Sequence, residues 1–157
     1  MLFSFDKLID ECIHSQFFTN RLISNKLRGV FASANKTLKK YSNYTLQEIK
    51  EVDRHFHYVR EWEKEELISK VLKKVWSKKV INSIINQDTE LCQISLGEEE
   101  GRMIVILEKI NNSAKRPERN FLFSPLLYDF EHSLHPNLKK KKLKEQGLIC
   151  VMKEADC

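Results

Sequence analysis

His132 and His135 stand three residues apart with Glu131 beside them, so both imidazoles share a face if the segment is helical. Two chemistries use such a pair. Zinc takes histidine, but it needs three or four ligands in a tetrahedron, and the order here differs from H-E-x-x-H. Pro136 also ends the segment at once. No metal and no cofactor is therefore assigned. Metal-independent cleavage of RNA is the other chemistry. It needs a general acid, a general base and a cation beside the scissile phosphate. Lys115, Arg116, Arg119, Tyr128, His132 and His135 supply those groups within one short stretch. The same types also meet in any basic loop, so His132 and His135 are catalytic candidates only if the protein cuts nucleic acid.

Binding without cleavage asks for less. Lys139, Lys140, Lys141, Lys142 and Lys144 form a dense lysine run, and Lys115–Lys144 holds eight basic residues against three acidic ones. Counterion release from phosphates supplies most non-specific affinity for nucleic acid, and it needs this positive density. Phe121, Phe123, Tyr128 and Phe130 are interleaved with the cations, and an exposed ring can stack on an unpaired base. The expected nucleic-acid contacts are Lys115, Arg116, Arg119, Phe121, Tyr128 and Lys139–Lys142. The plainer alternative is a solvated lysine run beside core aromatics.

Other constellations carry less. Four glycines stand in 157 residues, where average usage would give about eleven. That shortage excludes most phosphate-cradling and dinucleotide-binding loops. Gly97 and Gly101 frame Glu98, Glu99 and Glu100, whose carboxylates would repel phosphate, so this reads as a solvated hairpin turn. Asp53 and His57 lie four apart and read as a surface ion pair on a helix. His55 and His57 lie two apart, on nearly opposite sides of it. No serine or cysteine stands in a nucleophile elbow. Trp62 lies among charges and Trp76 among lysines; either would anchor a protein contact if exposed, and core burial is the default.

The chain is long enough to bury about two thirds of its unfolded surface in one domain. Formal net charge is +5, with basic ends and a mildly acidic middle. Cys12, Cys92, Cys150 and Cys157 show no paired metal or redox spacing, and no secretion signal or membrane span is read. The expectation is a reduced, cytoplasmic protein with free thiols.

The elements that must position these groups follow from hydrophobic period. Leu2, Phe5, Leu8, Ile9, Cys12 and Ile13 repeat at three and four, predicting a first helix. A second stripe runs Ile23, Leu27, Val30, Phe31, Ala34 and Leu38, with Asn20 or Ser24 as its cap and a polar break at Tyr41–Tyr44. Thr45 and Glu48 form a capping box for a third helix with stripe Ile49, Val52, Phe56 and Val59, and a bend is expected near Glu63. Leu67, Ile68, Val71, Leu72 and Val75 make a fourth stripe that extends toward Ile84.

Beyond Asp88 the period changes to two. Cys92–Leu96 and Met103–Leu107 predict a hairpin. Phe121–Phe123 reads as a third strand, Pro125 and Pro136 bracket an aromatic segment, Leu138–Gln146 reads as a short helix ended by Gly147, and Leu148–Met152 as a last strand. The fold class expected is α+β, with an N-terminal helical half (1–88) packed on a small, mostly antiparallel sheet from residues 89–157. The function expected is nucleic-acid binding, RNA rather than DNA, through the C-terminal half. One rival is an endoribonuclease using the same surface. The other is an inhibitor or adaptor that binds a protein through its helices. Neither oligomeric state nor organism is legible.

Overall fold

A computed structural model describes residues 2–9, 11, 13, 18, 20, 22–23, 27–59, 62–96, 101–110, 121–130, 134 and 148–149. In chain order the elements are β1 (Leu2–Phe3), β2 (Leu22–Ile23), α1 (Leu27–Ser42), α2 (Leu46–Val52), β3 (His57–Tyr58), α3 (Trp62–Leu72), α4 (Lys78–Ile84), β4 (Thr89–Ser95), β5 (Arg102–Lys109), β6 (Phe121–Asp129) and β7 (Leu148–Ile149). The fold is α+β: among the described residues the helices lie between Leu27 and Ile84, and the long strands follow them. The main sheet runs β1-β6-β5-β4-β3, antiparallel except for the parallel pair β1–β6, and β2 pairs with β7 in a small second sheet.

The β4–β5 hairpin is built as its alternation predicts. Cys92 faces Val105 and Ile94 faces Met103 across the pair. Every residue from Arg102 to Leu107 is buried, because helices cover both faces of the sheet. On one face Cys92, Ile94, Met103, Val105 and Phe123 cluster with Ala34, Leu38 and Tyr41 of α1 and Leu46 and Ile49 of α2. On the other, Leu91, Ile104, Ile106 and Leu126 cluster with Ile68, Val71 and Leu72 of α3 and Ile81 of α4. The Cys92 thiol is one of these core groups.

Several local readings change. The predicted first helix is not formed. Leu2–Phe3 is a strand on β6, the Ser4 N–H donates to the Phe123 carbonyl at 3.0 Å, and the Ile9 N–H donates to the Leu126 carbonyl at 2.9 Å. Pairing the otherwise bare edge of β6 outweighs a helical period that these few residues satisfy only weakly. Asn20 caps no helix. It binds back to Glu11 and Ile13, its Oδ1 accepting from Ile13 N and its Nδ2 donating to the Glu11 carbonyl, both at 2.8 Å.

The capping box of α2 is present, with Thr45 Oγ1 accepting from Glu48 N and Glu48 Oε2 accepting from Thr45 N at 2.7 Å. The helix then stops at Val52 rather than reaching Val59. The Asp53 carboxylate accepts the His55 N–H at 2.9 Å, an Asx turn that competes with the helical ladder. The chain therefore turns before Glu63, where the bend was expected. A second interruption, Lys73–Ser77, separates α3 from α4, and Ser77 caps α4 by accepting from Val80 N.

Pro125 does not end a strand. It lies inside β6, which is an interior strand. Val105 faces Pro125 while Ile104 faces Leu127, so Leu126 is an extra residue in a bulge. The bulge accommodates a residue that has no N–H to give the ladder. The predicted 97–100 turn and Leu138–Gln146 helix lie outside the described residues. Of the predicted last strand, Leu148–Ile149 is β7.

Candidate nucleic-acid interface

The basic loop 111–120 leaves and re-enters the sheet at one place. Lys109, the last residue of β5, faces Phe121, the first of β6. Lys109 is exposed, and Phe121 is half-buried against the core under α1 and α2. Lys7 and Glu108 form an ion pair at the same end of the sheet. Lys115, Arg116 and Arg119 lie outside the described residues, as do Lys139, Lys140, Lys141 and Lys142. The Lys109–Phe121 pair fixes only where their loop starts and returns.

Tyr128 does not offer a ring for stacking. It is buried, lies stacked on Phe130 with centroids 5.2 Å apart and planes 9° apart, and burial pushes its phenol above the ordinary range. Phe121 is the aromatic of the pair that keeps part of its surface open.

His132 and His135 also lie outside the described residues, but they flank Leu134. Leu134 is buried, and its N–H donates to Asp129 Oδ2 at 2.9 Å. Asp129 is the last residue of β6 and Phe121 the first. Nine strand residues span about 26 Å at roughly 3.3 Å each. The anchor of the basic loop and the anchor of the histidines are thus at opposite ends of one strand.

At the Asp129 end the structure holds a polar cluster that hydrophobic patterning did not show. Arg102 faces Ser95 on one side and Asp129 on the other in the strand register. Its guanidinium donates to the Gly101 carbonyl at 2.8 Å and lies 3.2 Å from His55 Nδ1. Burial pulls its affinity for the proton below the ordinary value, and the Asp53 and Asp129 carboxylates oppose that fall. Asp53 is not the surface partner of His57. It is buried, and its Oδ2 accepts the Ser95 N–H at 3.0 Å. Tyr41 hydrogen-bonds to the same carboxylate, and its phenol is driven up, first by burial and then by that bond.

His57 is exposed on β3, with its Nε2 3.2 Å from Gln93 Nε2. His55 has Arg54 Nε at 3.2 Å from its Nε2 and Arg102 at the same distance from its Nδ1. A neutral imidazole accepts at one nitrogen only, so it can serve one of these two cations at a time.

Gly101 enters this cluster with φ +93°, and a Cβ there would lie 2.6 Å from Phe130 Cα. The cluster sets two buried carboxylates around one buried guanidinium. The signal for it in the chain was slight: Asp53 interrupts an apolar stripe, and Arg102 and Asp129 border apolar runs. Among the described residues no three His, Cys, Asp or Glu side chains are grouped to hold a metal ion.

The family model described as uncharacterised protein UU032 matches residues 4–154, nearly the whole chain. The chain belongs to the UU032 family. No curated protein and no solved structure matches it. Among the described residues no helix is long and apolar enough to cross a membrane. Trp76 is half-buried against the core of α3 and α4, and the side chain of Trp62 lies outside what is described.

Proposed function

We propose that the protein binds nucleic acid, RNA in the first instance, through its C-terminal half. The observation that supports this reading is the Lys109–Phe121 pair. It brings both ends of the basic segment to one end of the sheet, with an exposed lysine and a half-buried aromatic ring beside them. Lys115, Arg116 and Arg119 would neutralise phosphates there, Phe121 would offer an edge to an unpaired base, and Lys139–Lys142 would add charge. The protein-contact reading finds less support among the described residues. Their exposed large apolar side chains are Phe5, Val52 and Val80, spread over three separate segments.

Fluorescence anisotropy of a labelled single-stranded RNA, titrated with the full chain at several salt concentrations, tests the proposal. Binding should weaken as salt rises, with a log–log slope of about −0.7 for each phosphate contacted. Replacing Lys139–Lys142 by Ala should weaken binding and flatten that slope. No binding by the unaltered protein at low salt would overturn the proposal. If the RNA is cut in these tubes, the ribonuclease reading takes over. His132→Ala and His135→Ala should then abolish cutting and leave binding in place.

A further inference from the structure

The link between α3 and α4 carries a second concentration of positive charge, this time among residues the structure describes. From Leu67 to Gln87 the chain has no carboxylate, and it has Lys70, Lys73, Lys74, Lys78 and Lys79. Lys70 is answered by Glu66 one helical turn earlier, at 2.7 Å. Lys73, Lys74, Lys78 and Lys79 are all exposed. Among the described residues no carboxylate pairs with Lys73, Lys78 or Lys79.

The link is held in shape by its backbone. Lys74 N and Val75 N donate to the carbonyls of Val71 and Leu72 at 3.0 Å, and Trp76 N donates to the Leu72 carbonyl at 2.8 Å. Below it Ile68, Val71, Leu72 and Ile81 are buried in the sheet-facing core. The lysines therefore stand on a turn whose other side is fixed. Even a fully extended link would keep Lys73 and Lys79 within about 20 Å. Like charges gathered this closely repel one another, and the stretch itself holds no acidic residue to offset that cost.

Resting on the reading that the partner is nucleic acid, we infer that the α3–α4 turn is a second phosphate-contacting surface, with Lys73, Lys78 and Lys79 as its cations. A nucleic-acid backbone suits the patch better than a lipid surface does. Membrane docking needs apolar side chains to insert beside the cations, and here only Val80 is an exposed large apolar residue, while Trp76 is packed against the core. Each lysine would neutralise a phosphate without reading sequence, so this surface adds affinity and orientation rather than specificity.

Three forms of the full chain separate this inference from the reading it rests on: unaltered, Lys73→Gln/Lys78→Gln/Lys79→Gln, and Lys139–Lys142 replaced by Ala. Each is titrated with the same labelled single-stranded RNA over a range of salt, after circular dichroism confirms that its fold is intact. Loss of three phosphate contacts should flatten the slope of the turn variant by about 2. Arginines at the three positions should restore it.

An unchanged slope in the turn variant, with a flattened one in the lysine-run variant, overturns the inference and leaves the C-terminal reading standing. A flattened slope in the turn variant alone supports the inference and overturns the assignment to the C-terminal half. No RNA binding by any form overturns both. Sedimentation with phosphatidylserine vesicles supplies the last comparison. Loss of vesicle binding in the turn variant, with RNA binding unchanged, would make the patch a lipid contact and overturn the inference.

Discussion

Asp53 Oδ2 accepts the backbone N–H of Ser95 at 3.0 Å, joining the end of α2 to the last residue of β4. The other oxygen of the same carboxylate accepts the His55 N–H. One side chain thus stops a helix, turns the chain into β3 and braces the hairpin at its Ser95–Arg102 end. It does so as a buried carboxylate, with the Tyr41 hydroxyl and the Arg102 charge as its compensation. A carboxylate so placed is costly to bury and costlier to remove once its partners are buried with it.

Asp53→Ala should therefore destabilise the protein by about 2 kcal/mol or more, since it takes away one of the two carboxylates beside Arg102 and leaves two backbone donors without an acceptor. Asp53→Asn keeps an amide oxygen for one of those donors and should lose less. Urea unfolding followed by circular dichroism gives both midpoints. A midpoint for Asp53→Ala equal to that of the unaltered protein would mean that this carboxylate braces nothing.

What could be read in advance depended on how local the cause was. The α2 capping box is a contact between Thr45 and Glu48, three residues apart, and both partners are visible in the chain. The β4–β5 register follows from alternating side chains that must all face a core. β1 reads as helix in the sequence because Leu2 begins a repeat at three and four, and the choice is made by β6, more than a hundred residues away. The sequence reads only Phe121–Phe123 as a strand, whereas β6 runs on through Pro125, which gives the ladder no N–H. Only the bulge at Leu126 lets it stay inside β6. The Asp53–Arg102–Asp129 cluster was invisible for the same reason as β1: its members come from three separate stretches, and burial rather than spacing brings them together. The basic segments were plain in the chain, because charge density needs no fold to be counted. Their partner is a matter for the binding experiments.

Tyr41 and Tyr128 give the protein an alkaline limit. Both phenols are held above the ordinary value of 10.0, each chiefly by burial. The native state therefore keeps two protons that the unfolded chain releases once the pH passes about 10. The stability tied to those protons is complete below that pH and falls as pH rises, by about 1.4 kcal/mol per pH unit for each tyrosine. Arg102, displaced downward by burial, acts in the opposite sense, between its lowered value and its ordinary one. Urea midpoints measured between pH 9 and pH 11.5 should drop, and Tyr41→Phe should remove the larger part of the slope, because Tyr41 carries the larger shift. Tyrosinate absorbance from both phenols should appear together with unfolding. Ionisation of Tyr41 and Tyr128 in the folded protein at pH 10 would refute this.

Ser124 supplies a prediction of the opposite sign. It faces Ile106 in the β5–β6 register and is wholly buried, and its hydroxyl has no hydrogen-bond partner among the described residues. A hydroxyl taken from water and given nothing in return costs about 1–3 kcal/mol. Ser124→Ala removes that group and leaves the backbone ladder untouched, because the strand hydrogen bonds are made by main-chain atoms. The variant should be more stable by about 1 kcal/mol, with a higher urea midpoint and an unchanged slope. Ser124→Val, which adds volume between tightly packed neighbours, should lose that gain to overpacking. The pair of variants separates the two effects. If Ser124→Ala is less stable than the unaltered protein, the hydroxyl has a partner in solution, and the Ser124 position is a hydrogen-bonded site rather than a defect in the core.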